Sequence, residues 1–216
     1  MVYAPQTPLQ EQWHAGGFLI SESNGRQSRD RALFAAGNRV LPGTVLGRQT
    51  VGSTAAAAPL GTNVGNGTFG QITVGAGAIA GAYAVEFDDP THFVVSDPSG
   101  KEVGHGVAGT AFSAGGISFT ITAGSTAFVA ADSFTVTVSQ GPGKWVPCTS
   151  TATDGSQVAA AISFGFVDAT LSDANGTIIA RGAEVNGSEL VWDASMNPTS
   201  IAAALAQLSA RGIVAR

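Results

Sequence analysis

The stretch Asp154–Asp168, DGSQVAAAISFGFVD, is the segment around which the chain is organised. It opens with Asp-Gly, a dipeptide typical of turns, and continues with small and apolar residues that suit a β-strand. An apolar run of this length between turn residues predicts a strand buried on both faces. Its many Ala and Gly residues indicate that another backbone packs closely against it, from the same chain or from a neighbouring subunit.

Large or small apolar side chains in and after this stretch are the candidates for packing. They are predicted to lie either in the core or between subunits of an oligomer. They are Val158, Ala160, Ile162, Phe164 and Trp192.

The composition indicates a β-rich globular protein. The chain has 216 residues, of which 44% are hydrophobic and only 12% are charged. The charged share is about half the usual value of roughly 25%, so much of the surface must be neutral or covered by partners. The formal net charge is −5, and the ten Lys and Arg residues are spread along the chain. This spacing predicts no basic patch, so direct binding of nucleic acid is not expected.

Targeting and redox features are few. Cys148 is the only cysteine, so no disulfide can form within the chain. No apolar run reaches the roughly 18 residues of a membrane span, so no membrane association is expected. The first residues lack the basic and apolar regions of a signal peptide, which predicts synthesis in the cytoplasm.

Residues 1–17 are expected to form an extended arm, because Pro5 and Pro8 disfavour a helix there. The arm carries large apolar side chains but has little core of its own. It either folds back onto its own domain or becomes ordered on a partner, for example by strand addition. The candidate partner-binding residues are Tyr3, Pro5, Leu9, Trp13 and Phe18.

The rest of the chain predicts a split domain. Residues 18–60 and 141–216 form one β-rich α+β core, and residues 61–140 contain six short strands typical of an inserted β-sandwich. The segment 52–67, GSTAAAAPLGTNVGNG, is interpreted as a linker or an exposed crossing loop. Asp97-Pro98-Ser99-Gly100 predicts the turn of a hairpin. Asn186-Gly187 predicts a second one, with Glu189–Trp192 as its return strand.

One helix is predicted, near the end of the sequence. Asn197 is a suitable N-cap, Pro198 suits the first helical position and Gly212 lies just beyond the last turn. Ile213-Val214 is expected to return to the core. The overall fold class is therefore mainly β, with one C-terminal helix.

No group of residues predicts catalysis or binding of a cofactor. The three histidines, His14, His92 and His105, are scattered without cysteines or paired carboxylates at ligand spacing. The aspartates of the 61–140 region fit turns better than a calcium loop. The glycine-rich segments lack the Gly-Lys-Ser/Thr ending of a phosphate loop. The sequence therefore predicts a protein that is not an enzyme and that has no cofactor and no metal site.

Four segments resemble the phage-lambda-type head decoration proteins in order and spacing. They are HAGGFLISESNGRQSRD at 14–30, GTVLG at 43–47, DGSQVAAAISF at 154–164 and NGSELVWDASMN at 186–197. The resemblance covers residues 14–50 and 144–216. Residues 61–140 depart from it and resemble the immunoglobulin-like or other β-sandwich modules of phage virion proteins.

The resemblance implies a homotrimer that binds the major capsid protein at three-fold positions on the outer surface of the virion. It also implies that the N-terminal arm becomes ordered on the capsid, which agrees with residues 1–17. A structural virion protein is therefore the first hypothesis. The alternative is a surface-binding adhesin or carbohydrate-binding module, in which the inserted sandwich attaches to host surfaces or glycans.

Overall fold

The computed structural model describes residues 14–216, and it confirms a mainly β fold with 45% strand and 9% helix. The predictions for Tyr3, Pro5, Leu9 and Trp13 concern residues outside this described range. The elements before residue 50 are β1 Leu19–Glu22, α1 Gly25–Ser28, β2 Arg29–Phe34, β3 Asn38–Val40 and β4 Val45–Arg48.

Nine strands follow in the 51–140 segment. They are β5 Val51–Pro59, β6 Thr68–Phe69, β7 Thr73–Val74, β8 Gly81–Phe87, β9 His92–Ser96, β10 Glu102–Val107, β11 Ala111–Ala114, β12 Ile117–Thr122 and β13 Ser133–Gln140. The last part of the chain holds β14 Trp145–Pro147, β15 Ala159–Ser163, β16 Val167–Ala169, β17 Ala174–Ile179, β18 Ala183–Val185, α2 Pro198–Ser209 and β19 Ile213–Ala215.

A closed barrel forms the centre of the first and last parts, in the strand order β14-β2-β17-β15-β4. All five residues of β15 are buried, as the sequence predicted for this stretch. The close backbone approach comes from the same chain: a Cβ atom added to Gly47 would lie 1.9 Å from the Ser156 carbonyl oxygen. Only glycine fits at this position of β4.

Helix α2 and a three-stranded sheet, β1-β18-β19, cover one end of the barrel. The side chain of Asn197 accepts a hydrogen bond from the Ser200 N–H, and Ser200 bonds back to form a capping box. Ala204 and Leu208 are buried against the barrel, and Ile213 returns to the same cluster. The predicted helix and its returning tail are therefore confirmed.

Two sheets of the 51–140 segment share a second hydrophobic core. One has the order β10-β9-β8-β13-β5, and the other has β11-β12-β6 with β7 also paired to β12. Aromatic rings fill the space between them, with the Phe87 and Phe128 rings stacked 4.0 Å apart. The predicted turn at Asp97–Gly100 joins β9 to β10, which pair antiparallel.

The segment 52–67 is not a linker along its whole length. Val51–Pro59 forms β5, which pairs antiparallel with β13. The alanines 55–58 take part in this strand because their partners, residues 135–138, are β-formers held in the sheet by β8. A division of the chain near residue 60 would separate β5 from its partner strand β13.

The predicted hairpin at Asn186-Gly187 is also wrong. Residues Gly187–Glu189 form a turn of 3₁₀ helix, whose N-cap is Asn186. Val191 then makes an isolated parallel bridge to Thr44 instead of pairing backwards along the chain. A tertiary contact with the start of β4 thus replaces the local hairpin.

Candidate interaction surface

Phe18 is a core residue, although the sequence analysis grouped it with the partner-binding arm. Its side chain is 3% exposed and packs in the cluster of Val45 and Leu190. Its carbonyl oxygen accepts a hydrogen bond from the Asn186 N–H at 2.8 Å, which holds this part of the chain against the 3₁₀ turn. A side chain buried in this way is not available to a partner.

A tight turn at residues 14–17 leads into the core. The Gly17 N–H donates to the His14 carbonyl oxygen, and the Leu19 N–H donates to that of Gly16. Gly16 has a φ of +74°, a conformation that favours glycine. The Gly16 N–H also donates to the Phe164 carbonyl oxygen at 2.9 Å, so the chain is fixed to the end of β15 at this point.

The Phe164 ring completes this attachment. A Cβ atom on Gly16 would lie 2.7 Å from the ring, so the ring covers the turn directly. The Arg29 guanidinium carbon stacks on the same ring, 3.8 Å from its centre. Hydrogen bonds from Arg29 hold the pKa of Glu22 below its usual value, with further help from the Ser28 hydroxyl. The turn at residues 14–17 is therefore held in place by its contacts with Phe164.

The predicted packing residues separate into two groups. Ile162 is buried, and Phe164 and Trp192 pack partly buried against the same cluster. Ala160 is buried outside this cluster, and Val158 is 41% exposed. Val158 and Ala160 both line a cleft that is described below.

Three exposed apolar side chains lie around β16 and β2. Leu171 is 96% exposed, Phe166 is half-exposed, and Leu33 points outward from the barrel. Sequence reasoning missed Leu171, whose only signal was a large apolar residue between Thr170 and Ser172 in a turn. Exposed apolar groups of this kind are candidates for contact with a protein partner.

Arginines from distant parts of the chain meet at two neighbouring clefts. The first, of about 550 Å³, includes Arg48, Arg181 and Arg211 in its lining. The second, of about 650 Å³, is lined by Arg26 and shares Arg181 with the first. We call the two together the arginine cleft. Arginines that are spread along the sequence thus line adjoining clefts in the folded chain.

Among the described residues we searched for metal-binding groups, reactive thiols and membrane-spanning helices. Residues 14–216 contain no cluster of three potential metal ligands. Burial raises the pKa of the Cys148 thiol to about 11, with a smaller contribution from the Asp193 carboxylate, so the thiol is a poor nucleophile at neutral pH. No helix within the same range is long and apolar enough to span a membrane.

The sequence of residues 8–213 matches the family model of the bacteriophage lambda head decoration protein D. The chain belongs to this family. The match includes both parts of the barrel domain and runs across the 51–140 segment. Proteins of this family are structural components that decorate the phage head.

Other comparisons add only distant similarities. No curated protein matches the chain. Two crystal structures of FlgL from Xanthomonas campestris are each 24% identical, with a TM-score of 0.34; they match 45% and 46% of this chain and 33% of their own. The flagellar hook junction protein FlgK from Burkholderia pseudomallei is 22% identical, with a TM-score of 0.33. That match covers 60% of this chain and 23% of FlgK. The chain thus spans a third or less of these flagellar proteins.

Proposed function

We propose that the protein is a trimeric head decoration protein that binds the outer surface of the phage capsid at three-fold and quasi-three-fold positions. Its role is to hold neighbouring capsid subunits together against the pressure of packaged DNA. The observation that carries this proposal is the family match over residues 8–213. Many weak, identical contacts on a lattice give strong attachment in total.

The exposed apolar side chains support contact with other protein chains. Leu171 is almost completely exposed just after β16, Phe166 is exposed just before β16, and Leu33 is exposed on β2. Contact with a second copy or with the capsid protein would remove such side chains from water, which is favourable. We propose this surface as part of the interface with a second copy or with the capsid protein.

The N-terminal arm is proposed as a second capsid contact. Residues 14–17 are anchored at Phe164, so residues before them start from a fixed point on the domain. Tyr3, Pro5, Leu9 and Trp13 are the proposed contact residues of the arm. Phe18 is removed from this set because it is buried.

The 51–140 segment is proposed as an autonomous, immunoglobulin-like module inserted into the decoration core. The Gly141 N–H donates to the Thr50 carbonyl oxygen, so the chain enters and leaves the segment side by side. Its described aromatic side chains are buried or partly buried, and the Tyr83 hydroxyl is used inside, on Gly115. The segment therefore presents little ring surface for stacking against a sugar, which favours the capsid role over a glycan-binding role.

The test combines mass and capsid binding. Light scattering of the purified protein should give three times the 21.6 kDa chain mass. The protein should then bind expanded capsids that lack decoration protein, and removal of Met1–Trp13 should abolish binding while leaving the chain folded. The variant Leu171→Asp should lose trimerisation or capsid binding. Leu60→Asp, at an exposed leucine of the 51–140 segment, is the matched control. A wild-type protein that does not bind such capsids would refute the proposal.

A further inference from the structure

The arginine cleft lies where the barrel domain meets the 51–140 segment. Arg48 is on β4, Arg181 precedes β18 and Arg211 follows α2, so three separate elements of the barrel domain contribute a guanidinium. Gly77 and Ala78, in the loop between β7 and β8, also line the cleft. The cleft therefore exists only when both parts of the chain are folded.

The charge of the lining is strongly one-sided. Four arginines line the two clefts, and Asp30 is the only carboxylate among the lining residues. Asp30 is already paired with Arg181. The Arg211 guanidinium has no hydrogen bond or ion pair to any described residue, and Arg48 donates only its Nε–H, to the Gly143 carbonyl oxygen. A chain with a net charge of −5 thus concentrates positive charge at one place.

We propose that the arginine cleft binds carboxylate side chains of an acidic polypeptide segment. A guanidinium presents two parallel N–H groups that match a carboxylate. Trp145 and Val158 also line the cleft, and their apolar surfaces suit the methylene stems of Glu side chains. The inference rests on the proposed function, under which the capsid lattice is the partner that would present such a segment.

A polypeptide fits this cleft better than a nucleic acid does. The negative charge on the rest of the chain repels a long polyphosphate, whereas a short acidic segment meets only the local positive field. The cleft lined by Arg48, Arg181 and Arg211, of about 550 Å³, is also a local depression. It does not form the extended basic stripe that tracks a nucleic-acid backbone. The affinity of the cleft for an acidic segment should fall as salt is added, because its arginines are solvent-exposed.

The experiment measures binding of a fluorescent oligoglutamate peptide to the full chain at low salt. We expect binding that weakens as salt is added, and that falls roughly tenfold or more in Arg211→Glu and in Arg48→Glu. Arg31→Glu is the matched control. Arg31 is also exposed and lies in neither cleft, so the same change of charge there should leave the affinity within about twofold. Circular dichroism verifies that each variant is folded.

Three results would overturn the inference: no peptide binding by the wild type at low salt, an equal loss in Arg31→Glu, or tighter binding of an oligothymidylate of the same charge. None of them depends on capsids. A separate assay on undecorated capsids distinguishes the proposed function from the inference about the cleft. If the wild type does not bind these capsids, the proposed function alone is refuted. Wild-type binding with an unchanged Arg211→Glu variant refutes the role of the cleft on the virion.

Discussion

The Gly16 N–H donates a hydrogen bond of 2.9 Å to the Phe164 carbonyl oxygen, and the Phe164 ring covers the same glycine. The first described turn of the chain is thus fixed to the end of the most buried strand. The Arg29 guanidinium stacks on the same ring and is held by Glu22.

Phe164→Ala is expected to destabilise the protein by about 2 kcal/mol, because the ring is partly buried and supports both Gly16 and Arg29. The turn at residues 14–17 should also become more sensitive to proteolysis. Chemical denaturation and limited digestion measure the two effects. Phe166→Ala, two residues away and half-exposed, should change the free energy of unfolding by less than about 0.5 kcal/mol. Equal effects of the two substitutions would contradict the anchoring role of Phe164.

Replacing Val51–Gln140 by a short glycine-containing turn should leave a folded barrel domain. Gln49 and Gly143 are already hydrogen-bonded at 2.8 Å, so a few residues can close the gap. Replacing only Gly61–Gln140 should instead give an aggregating protein, because β5 then loses its partner β13 and exposes an uncharged strand.

Two measurements distinguish these deletions: the solubility of each protein, and the rate at which a thiol reagent modifies the buried Cys148. The thiol stays protected wherever the barrel core is intact. If the longer deletion unfolds the barrel, or if both deletions are equally soluble, the boundary at residue 51 is wrong.

Gly47→Ala should destabilise the barrel by about 3 kcal/mol or more, since the new methyl group would overlap the backbone of Ser156. The overlap is with main-chain atoms, which cannot move aside without breaking the pairing of β4 with β15. Thermal unfolding measures the change. Gly61→Ala is the control, because a Cβ atom there meets no atom within 4 Å. A near-normal melting temperature for Gly47→Ala would refute the close approach.

Asp132 should make the stability of the 51–140 segment depend on acid. Burial alone would raise the pKa of its carboxyl group, but the N–H groups of Val64, Gly65 and Val129 outweigh it and keep the pKa below its usual value. A lowered pKa in the folded state means that the stabilisation is complete above about pH 4. It is lost as the pH falls through the lower, folded-state value.

Asp132→Asn should therefore lower the free energy of unfolding by about 2 kcal/mol at pH 7, and flatten its fall at acid pH. Denaturation at a series of pH values measures both effects. Asp88→Asn, on an exposed aspartate of the same segment, is the control. An unchanged acid profile for Asp132→Asn would show that the three hydrogen bonds do not stabilise the charged form.

The sequence predicted those parts of the fold that depend on neighbouring residues. The buried strand β15 followed from its apolar run, helix α2 from Asn197 and Pro198, and the β9–β10 turn from Asp97–Gly100. The order of four short motifs was sufficient to indicate the family. In each case the deciding interactions are local, so the sequence alone determined them.

Only the tertiary structure decided the features that join distant residues. Four alanines became part of β5 because β13 offered them a partner, and Phe18 became a core residue because the turn at Gly16 directs it inward. The arginine cleft was invisible in the sequence, since up to 185 positions separate its members from Arg26 to Arg211. Charge density at a surface depends on distance in space, which the chain sets only after its strands have found their partners.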